Sequence, residues 1–479
     1  HHAAHKILLV HPDVVPLVTS LLPHLPSVKT CIALPDHDTP LPPGPAWTGD
    51  YESLLAQASP GFHFPEFHED TPATLFYTTG TTGTPKGVFF SHRQLVLHTL
   101  SAGLGLAAFH DPLSFGADDV YMPLTPMFHV HAWGVPYIAT LLGIRQVYPG
   151  RYEPQMLLDL IRNHRVTFSH CVPTILQMLL HHPAADSVDW SHLKIVIGGS
   201  ALPQGLARQA MDRGIRILGG YGMSETCPIV AVAHIKPSDL NAPTDRRTDV
   251  LTRTGFPIPL VRAHAASPQG NPLPQGPDNI GELLLQAPWL TQGYYRDPER
   301  SRDLWHGGWL HTGDLAYLDT EGYIRITDRL KDVIKIAGEW ISSLELESAL
   351  SQHPAVKEVA VVGVADPKWD ERPHADVVLR DGHQGQISAR DLIHHLHAYI
   401  DRGTIHKRAI LTEIRFVPAI PKTSVGKINK RELRAQLDAT RNLPHPPQPP
   451  AHPHAHPQPH PHPHPQPQPQ AQPQPQPQP

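Results

Sequence analysis

Several short stretches of this 479-residue sequence hold side chains that could act together. Residues 77–88 read YTTGTTGTPKGV. Glycines at 80, 83 and 87 let backbone N–H groups approach an anion, Thr78, Thr79, Thr81 and Thr82 add hydroxyls, and Lys86 adds a mobile positive charge. A polyphosphate suits such a loop. The Walker spacing is absent, because Thr84 and Pro85 separate Gly83 from Lys86, and a polar glycine-rich turn is the competing reading.

Four further stretches have the same dual character. In YGMSET (221–226), a turn at Gly222 can set the Tyr221 ring against a flat base, Ser224 can donate to a phosphate, and Glu225 can ligate Mg2+. The same residues also read as a helix N-cap after a strand. In WLHTGD (309–314), the Asp314 carboxylate can accept from two vicinal hydroxyls, though such an aspartate also serves a turn. Lys427, in TSVGK, sits on a flexible stem that can bring an ammonium to a reacting carboxylate and phosphate; otherwise it is a solvated lysine. PMFHVHAW (126–133) places His129 and Trp133 in an apolar run, where a core histidine and a packed tryptophan are the alternative.

Such groups need elements to hold them. The length exceeds what one core usually supports, so two or more domains are expected. From about 120 to 235 short β-rich runs alternate with helical ones: EPQMLLDLIRNHRV is helical, TFSHCVP a strand, TILQMLLHH a helix. LKIVIGGS, LPQGLARQAMDRG and IRILGGYG then repeat strand, helix, strand. This alternation predicts an α/β fold whose parallel sheet is covered by helices, with ligands beyond the carboxyl ends of its strands. From about 250 to 325 short extended segments predict a small β-barrel or sheet. After Arg329 a smaller α+β unit follows, with Ser342 and Glu345 at capping-box spacing.

The bulk composition narrows the partners. With 39 Lys+Arg against 44 Asp+Glu the formal charge is -5, which offers no basic footprint for nucleic acid. Cys31, Cys171 and Cys227 lie far apart, as expected of a reducing cytoplasm rather than a disulfide framework. The N-terminal residues lack a basic stretch leading to a cleavage site, so no signal peptide is expected. The run from Met127 to Ile144 is about long enough to cross a bilayer, yet two histidines and Pro136 interrupt it. It reads as buried α/β core, leaving only peripheral membrane contact open. Residues 444–479 are almost wholly Pro, Gln, His and Ala and cannot form a core.

Taken together in their order, the loop at 77–88 with GGYGMSETCP, WLHTGD, DRLKDVIKIAGEWISS (328–343) and PKTSVGKINKRELR (421–434) resemble the adenylate-forming superfamily of acyl-CoA synthetases. Bacterial fatty acyl-CoA ligases are the most similar branch, over roughly residues 5 to 436. The resemblance implies parallel-sheet α/β lobes with a small β-barrel, and a mobile α+β C-terminal domain. It divides the chain into a core at 1–327, a hinge at 328–331, a C-terminal domain at 332–436 and a disordered tail at 437–479.

The implied substrates are ATP, a medium- or long-chain fatty acid and CoA, with Mg2+. By the same resemblance, Thr78, Thr79, Gly80, Thr81, Thr82, Gly83, Lys86 and Ser224 hold the phosphates. Gly199, Ser200, Gly220, Tyr221, Gly222, Asp314 and Arg329 hold adenine and ribose, and Glu225 holds the metal. Lys427, Glu225 and His129 are the expected catalytic residues, and Trp133, His129 and Met223 border the acyl tunnel. Asp328 and Lys331 bound the hinge; Gly338, Glu339 and Trp340 line the pantetheine channel.

The sequence also departs from the pattern. Family members have further residues ahead of the point where the resemblance begins, and strands missing there would leave apolar sheet edges exposed. Leu411 stands where relatives usually have proline, and the stretch around 260–275 matches poorly. Two alternatives stay open: transfer of the acyl group to a carrier protein, or an inactive nucleotide-binding homologue.

Overall fold

The structure, a computed structural model, describes residues 2–36, 43–78, 84–108, 114–411, 413–423 and 426–441. Residues up to Arg434 form one compact unit. Its centre is a seven-stranded sheet in the order Phe256–Pro257, Ile229–Val232, Arg216–Gly222, Lys194–Ile197, Phe168–Cys171, Val120–Pro123, Arg145–Gln146. The last five strands are parallel and the first two antiparallel. The α/β alternation read from the sequence is the observed one, with helices Pro154–His164, Pro173–Leu180 and Gln204–Asp212 as the crossovers.

A parallel sheet covered on both faces needs apolar side chains on both, and the period of two delivers them. Val196 and Leu218 enter one core, shared with Phe90, Phe168 and Trp289. Ile195, Ile197 and Ile217 enter the other, with Leu176 and Leu206. Pro154 and Pro173 open their helices at positions where the missing N–H costs nothing.

Four smaller sheets complete the unit among the described residues. Ile7–Val10, Thr30–Ala33 and Gly49–Asp50 pair in parallel, and Ile7 and Leu9 are exposed. Pro72–Thr78 and Lys86–Ser91 form an antiparallel hairpin whose connection contains the glycine-rich loop; Thr79 to Gly83 lie outside the described residues. The extended region after 250 is a five-stranded antiparallel sheet of Arg262–Ala266, Gly281–Gln286, Trp309–Leu318, Trp305–His306 and Ile324–Arg329.

Beyond it, Ile334–Ile336, Glu339–Ile341, Val356–Asp366, Asp370–Leu379 and Glu413–Phe416 make another sheet, packed on Ser343–Ser351 and Ala389–Asp401 around Ile334, Leu346, Val361, Leu350 and Leu392. Half of the expected capping box forms: Ser342 Oγ accepts from the Glu345 N–H at 3.1 Å. The reciprocal bond does not form; the Glu345 carboxyl, whose pKa is raised to about 7 by desolvation and then by the nearby Asp328, does not reach back to the Ser342 N–H.

All three cysteines are free and buried. Among the described residues no helix is long and apolar enough to cross a membrane. The run from Met127 is broken into a tight turn and the short helix Val135–Leu141. The last described helix, Lys430–Arg441, leads toward the Pro/His/Gln-rich residues from 442 on, which lie outside the described ones.

Candidate active site

A narrow cavity opens beyond the carboxyl ends of the parallel strands, lined by His129, Trp133, Gly199, Tyr221, Met223, Ser224 and Lys427 among others. It leaves about 30 Å³ for the centre of a water-sized sphere, room for about two waters. The lysine reaches in from a turn in which the Thr423 N–H donates to Lys427 O at 2.8 Å and Thr174 Oγ1 donates to Gly426 O at 2.8 Å. Gly199 has φ +77, and a Cβ there would stand 2.9 Å from Lys427 Cε, so any side chain would push the lysine out. Burial lowers the ammonium's pKa to about 8; Arg329 contributes, while Asp314 and Glu225 pull the other way.

Asp314 lies on Trp309–Leu318 directly across from Arg329 on Ile324–Arg329. The Tyr221 hydroxyl donates to Asp314 Oδ2 at 2.7 Å, and Arg329 Nε stands 3.4 Å from Oδ1. Burial raises the pKa of Asp314, with Arg329 and Tyr221 opposing, and burial also pushes the Tyr221 phenol well up. The three groups form one linked polar set, of which Tyr221 lines the cavity.

The anionic pole is a second relay. Lys86 Nζ donates to the Tyr294 hydroxyl at 3.2 Å, and that hydroxyl donates to Glu225 Oε1 at 2.7 Å. Glu225 is buried on the single helical turn Ser224–Thr226 that follows the strand Arg216–Gly222. Thr78 and Lys86 face each other at the open end of their hairpin. The helix His92–Ala107 locks that hairpin in place: Ser91 and Gln94 close a complete capping box, and Gln94 Nε2 donates to Leu290 O at 2.6 Å.

No cluster of three or more metal-binding side chains exists among the described residues. One buried carboxylate beside a lysine suits a hard cation that takes most of its ligands from phosphate oxygens and water.

The opposite end is neutral and strained. Val130, His131, Ala132, Trp133 and Gly134 all have positive φ, at 50, 54, 47, 61 and 73°, one left-handed helical turn. Four of them carry side chains, at a cost of about 1–2 kcal/mol each. Burial of Val130, Ala132 and Trp133 offsets it. The Trp133 ring lies tilted on His170, centroids 5.0 Å apart, and edges within 3.1 Å of where a Gly198 Cβ would be. His170 bonds to the Tyr121 hydroxyl at 2.7 Å and to Thr125 Oγ1 at 3.1 Å. Burial lowers the pKa of His170 to about 3 and of His131 to about 4; burial and then Lys427 lower that of His129 to about 4. At neutral pH these imidazoles carry no charge.

Gly220 and Gly222 also line the cavity, whereas Ser200 is exposed at the end of its strand and outside the lining. Gly338, Glu339 and Trp340 stand on the hairpin of Ile334–Ile336 and Glu339–Ile341, away from the cavity, with Trp340 half-exposed. Asp328 is buried at the end of its strand, where Oδ2 accepts from the Ser343 N–H and Oγ at 2.6 Å each; Lys331 is exposed in the following turn. Tyr294, His170 and Thr174 were not singled out by sequence.

Comparisons with known proteins agree on one family. Residues 1–295 match the AMP-binding enzyme family and residues 345–427 the AMP-binding enzyme C-terminal domain. The long-chain-fatty-acid–CoA ligase of Thermus thermophilus is 39% identical over 91% of this chain and 77% of its own length. The 3-methylmercaptopropionyl-CoA ligase of Ruegeria pomeroyi is 36% identical over 91% and 79%. The crystal structure of the anthranilate CoA ligase AuaEII in complex with anthranoyl-AMP superposes with TM-score 0.78 at 25% identity, covering 91% of this chain and 79% of that one. The chain belongs to the adenylate-forming AMP-binding enzyme family.

Proposed function

We propose that this AMP-binding enzyme joins a medium- or long-chain fatty acid to CoA through an acyl-adenylate. The observation that carries the reading is the placement of the buried Lys427 between two tethered carboxylates, Asp314 and Glu225, and the neutral pocket of His129 and Trp133. A carboxylate oxygen attacks the α-phosphorus of ATP, and the bond to the bridging oxygen breaks to release pyrophosphate. The thiolate of CoA then attacks the acyl carbon, and the carbon–oxygen bond to AMP breaks.

In the first step, the Lys427 ammonium offsets charge gathering between the carboxylate and the α-phosphate. Asp314, with Arg329, accepts from the ribose hydroxyls; Tyr221 stacks on adenine, and Gly199, Gly220 and Gly222 leave room for it. Thr78, Ser224 and Lys86, with the loop 79–83, receive the distal phosphates. Glu225 would hold Mg2+, which when bound supplies charge neutralisation at the phosphates. His129 borders the acyl-adenylate without adding charge, and Trp133 and Met223 border the acyl chain.

For the second step, residues 332–436 turn about 328–331, withdraw Lys427 and bring Gly338, Glu339 and Trp340 toward the site. A rotation beyond Asp328 breaks its bonds to Ser343. The fatty-acid assignment draws on the apolar lining and on the Thermus relative.

A second reading, a short thioether acid, is favoured by the Ruegeria relative and by the narrow cavity. Incubating the chain with ATP, Mg2+ and a panel of acids, with and without CoA, and following AMP and thioester by mass spectrometry tests both. Thioester from C8–C18 acids is expected; turnover confined to 3-methylmercaptopropionate would favour the second reading, and no acyl-AMP from any acid would overturn both.

A further inference from the structure

We infer that Tyr294 is the positioning residue of the phosphate pole, its hydroxyl holding the Lys86 ammonium and the Glu225 carboxylate on either side of one oxygen, ready for a metal–nucleotide complex. The inference rests on the ATP-dependent reading above and adds to it a residue that neither sequence motif contained.

The geometry is a relay: the phenol accepts from the cation at 3.2 Å and donates to the anion at 2.7 Å, so each bond polarises the other. Lys86 and Glu225 form no direct ion pair among the described residues. A direct pair would have to be broken before the lysine could bind phosphate and the carboxylate a cation. The intervening hydroxyl keeps both groups oriented and leaves each with capacity for a ligand.

The backbone around Tyr294 is tied to both partners. Tyr294 bridges Val88 on the hairpin strand, and the Tyr295 N–H donates to Gly87 O at 2.7 Å. On the other side the Thr291 N–H donates to Glu225 O at 3.0 Å, and Trp289 Nε1 donates to Thr226 O at 3.0 Å. Ser301 Oγ accepts the Tyr294 N–H at 2.8 Å. The segment thus spans the gap between the strand carrying Lys86 and the turn carrying Glu225, with the phenol at its centre.

Tyr294→Phe isolates the hydroxyl, because the ring stays and Lys86 Nζ already lies 4.5 Å from its centroid. ATP binding to the full chain, without acid or CoA, is measured by calorimetry with Mg2+ and with EDTA. The expected result is ~10-fold weaker Mg2+-ATP binding in Tyr294→Phe, with a smaller loss in EDTA. In a Glu225→Gln background the same change should cost about twofold or less, because the anion it positions is gone. Unaltered Mg2+-ATP affinity would overturn the inference, and so would an equal loss in both backgrounds, the mark of a merely structural ring. A wild-type chain that binds no ATP would overturn the underlying reading and this one with it.

Discussion

The two ends of the cavity are built by opposite means. On the polar side Lys86 is tied to Tyr294 and Tyr294 to Glu225, while Tyr221 and Arg329 are tied to Asp314. On the side of Trp133 the histidines are neutral, and the shape comes from a left-handed backbone turn and one tryptophan packed on a buried histidine. A phosphate asks for fixed charge, whereas an aliphatic chain asks only for shape and the absence of unpaired polarity. If the proposed function holds, the contrast predicts that packing around Trp133 can change the preferred acid without altering the polar side of the site.

Four experiments probe that contrast. The largest effect is expected of Lys427→Ala, which should slow acyl-adenylate formation by ~10² or more while sparing CoA attack on preformed acyl-AMP. Equal losses in both half-reactions, measured by rapid quench, would dissolve the two-conformation assignment.

Next comes Gly134→Ala, at the end of the strained turn. Its φ is +73, and a Cβ would meet the His98 ring at 3.0 Å. A loss of about 2 kcal/mol in urea unfolding is expected, from strain plus crowding. A variant as stable as the parent would mean that the left-handed turn is not fixed by its surroundings.

The pH dependence follows from Lys427, whose pKa is lowered to about 8 and whose charged form is the useful one. The kcat/KM of adenylation should therefore fall as pH rises through about 8, by about tenfold per unit well above it. Lys427→Arg should flatten that limb, since guanidinium stays protonated. An inflection at the ordinary lysine value would show that burial does not set it.

The smallest effect on nucleotide chemistry is expected of Trp133→Ala. Acyl-chain preference should shift several-fold, as a large buried ring is replaced by space, while ATP affinity stays within about twofold. An unaltered acyl profile would mean that the tryptophan only fills the core.

How much of this was legible in the sequence follows the same division. The α/β core was readable because strands covered on both faces demand apolar runs such as KIVI, punctuated by glycine where they end. Lys86, Glu225, Asp314 and Lys427 each had an ordinary structural reading, and only the order of their motifs taken together marked them; the structure places Lys427 within electrostatic reach of Asp314 and Glu225, and joins Lys86 to Glu225 through Tyr294.

Tyr294 was silent because a tyrosine in a turn needs a partner to mean anything, and its partners lie 208 and 69 residues away. His170 looked like any residue of a buried strand. Nothing in VHAW announced a left-handed turn, since valine and tryptophan avoid that conformation; only tertiary burial imposes it, and Gly134 alone hinted at it.

The left-handed turn also bears on redesign of the acyl end. Along residues 130 to 134 successive side chains rotate about the axis in the sense of a mirror-image helix, so a conventional helical wheel would select the wrong neighbours for randomisation. Glycine, asparagine or aspartate fits the left-handed backbone best at position 131, which is only half-buried, whereas the buried Val130 and Ala132 call for apolar replacements.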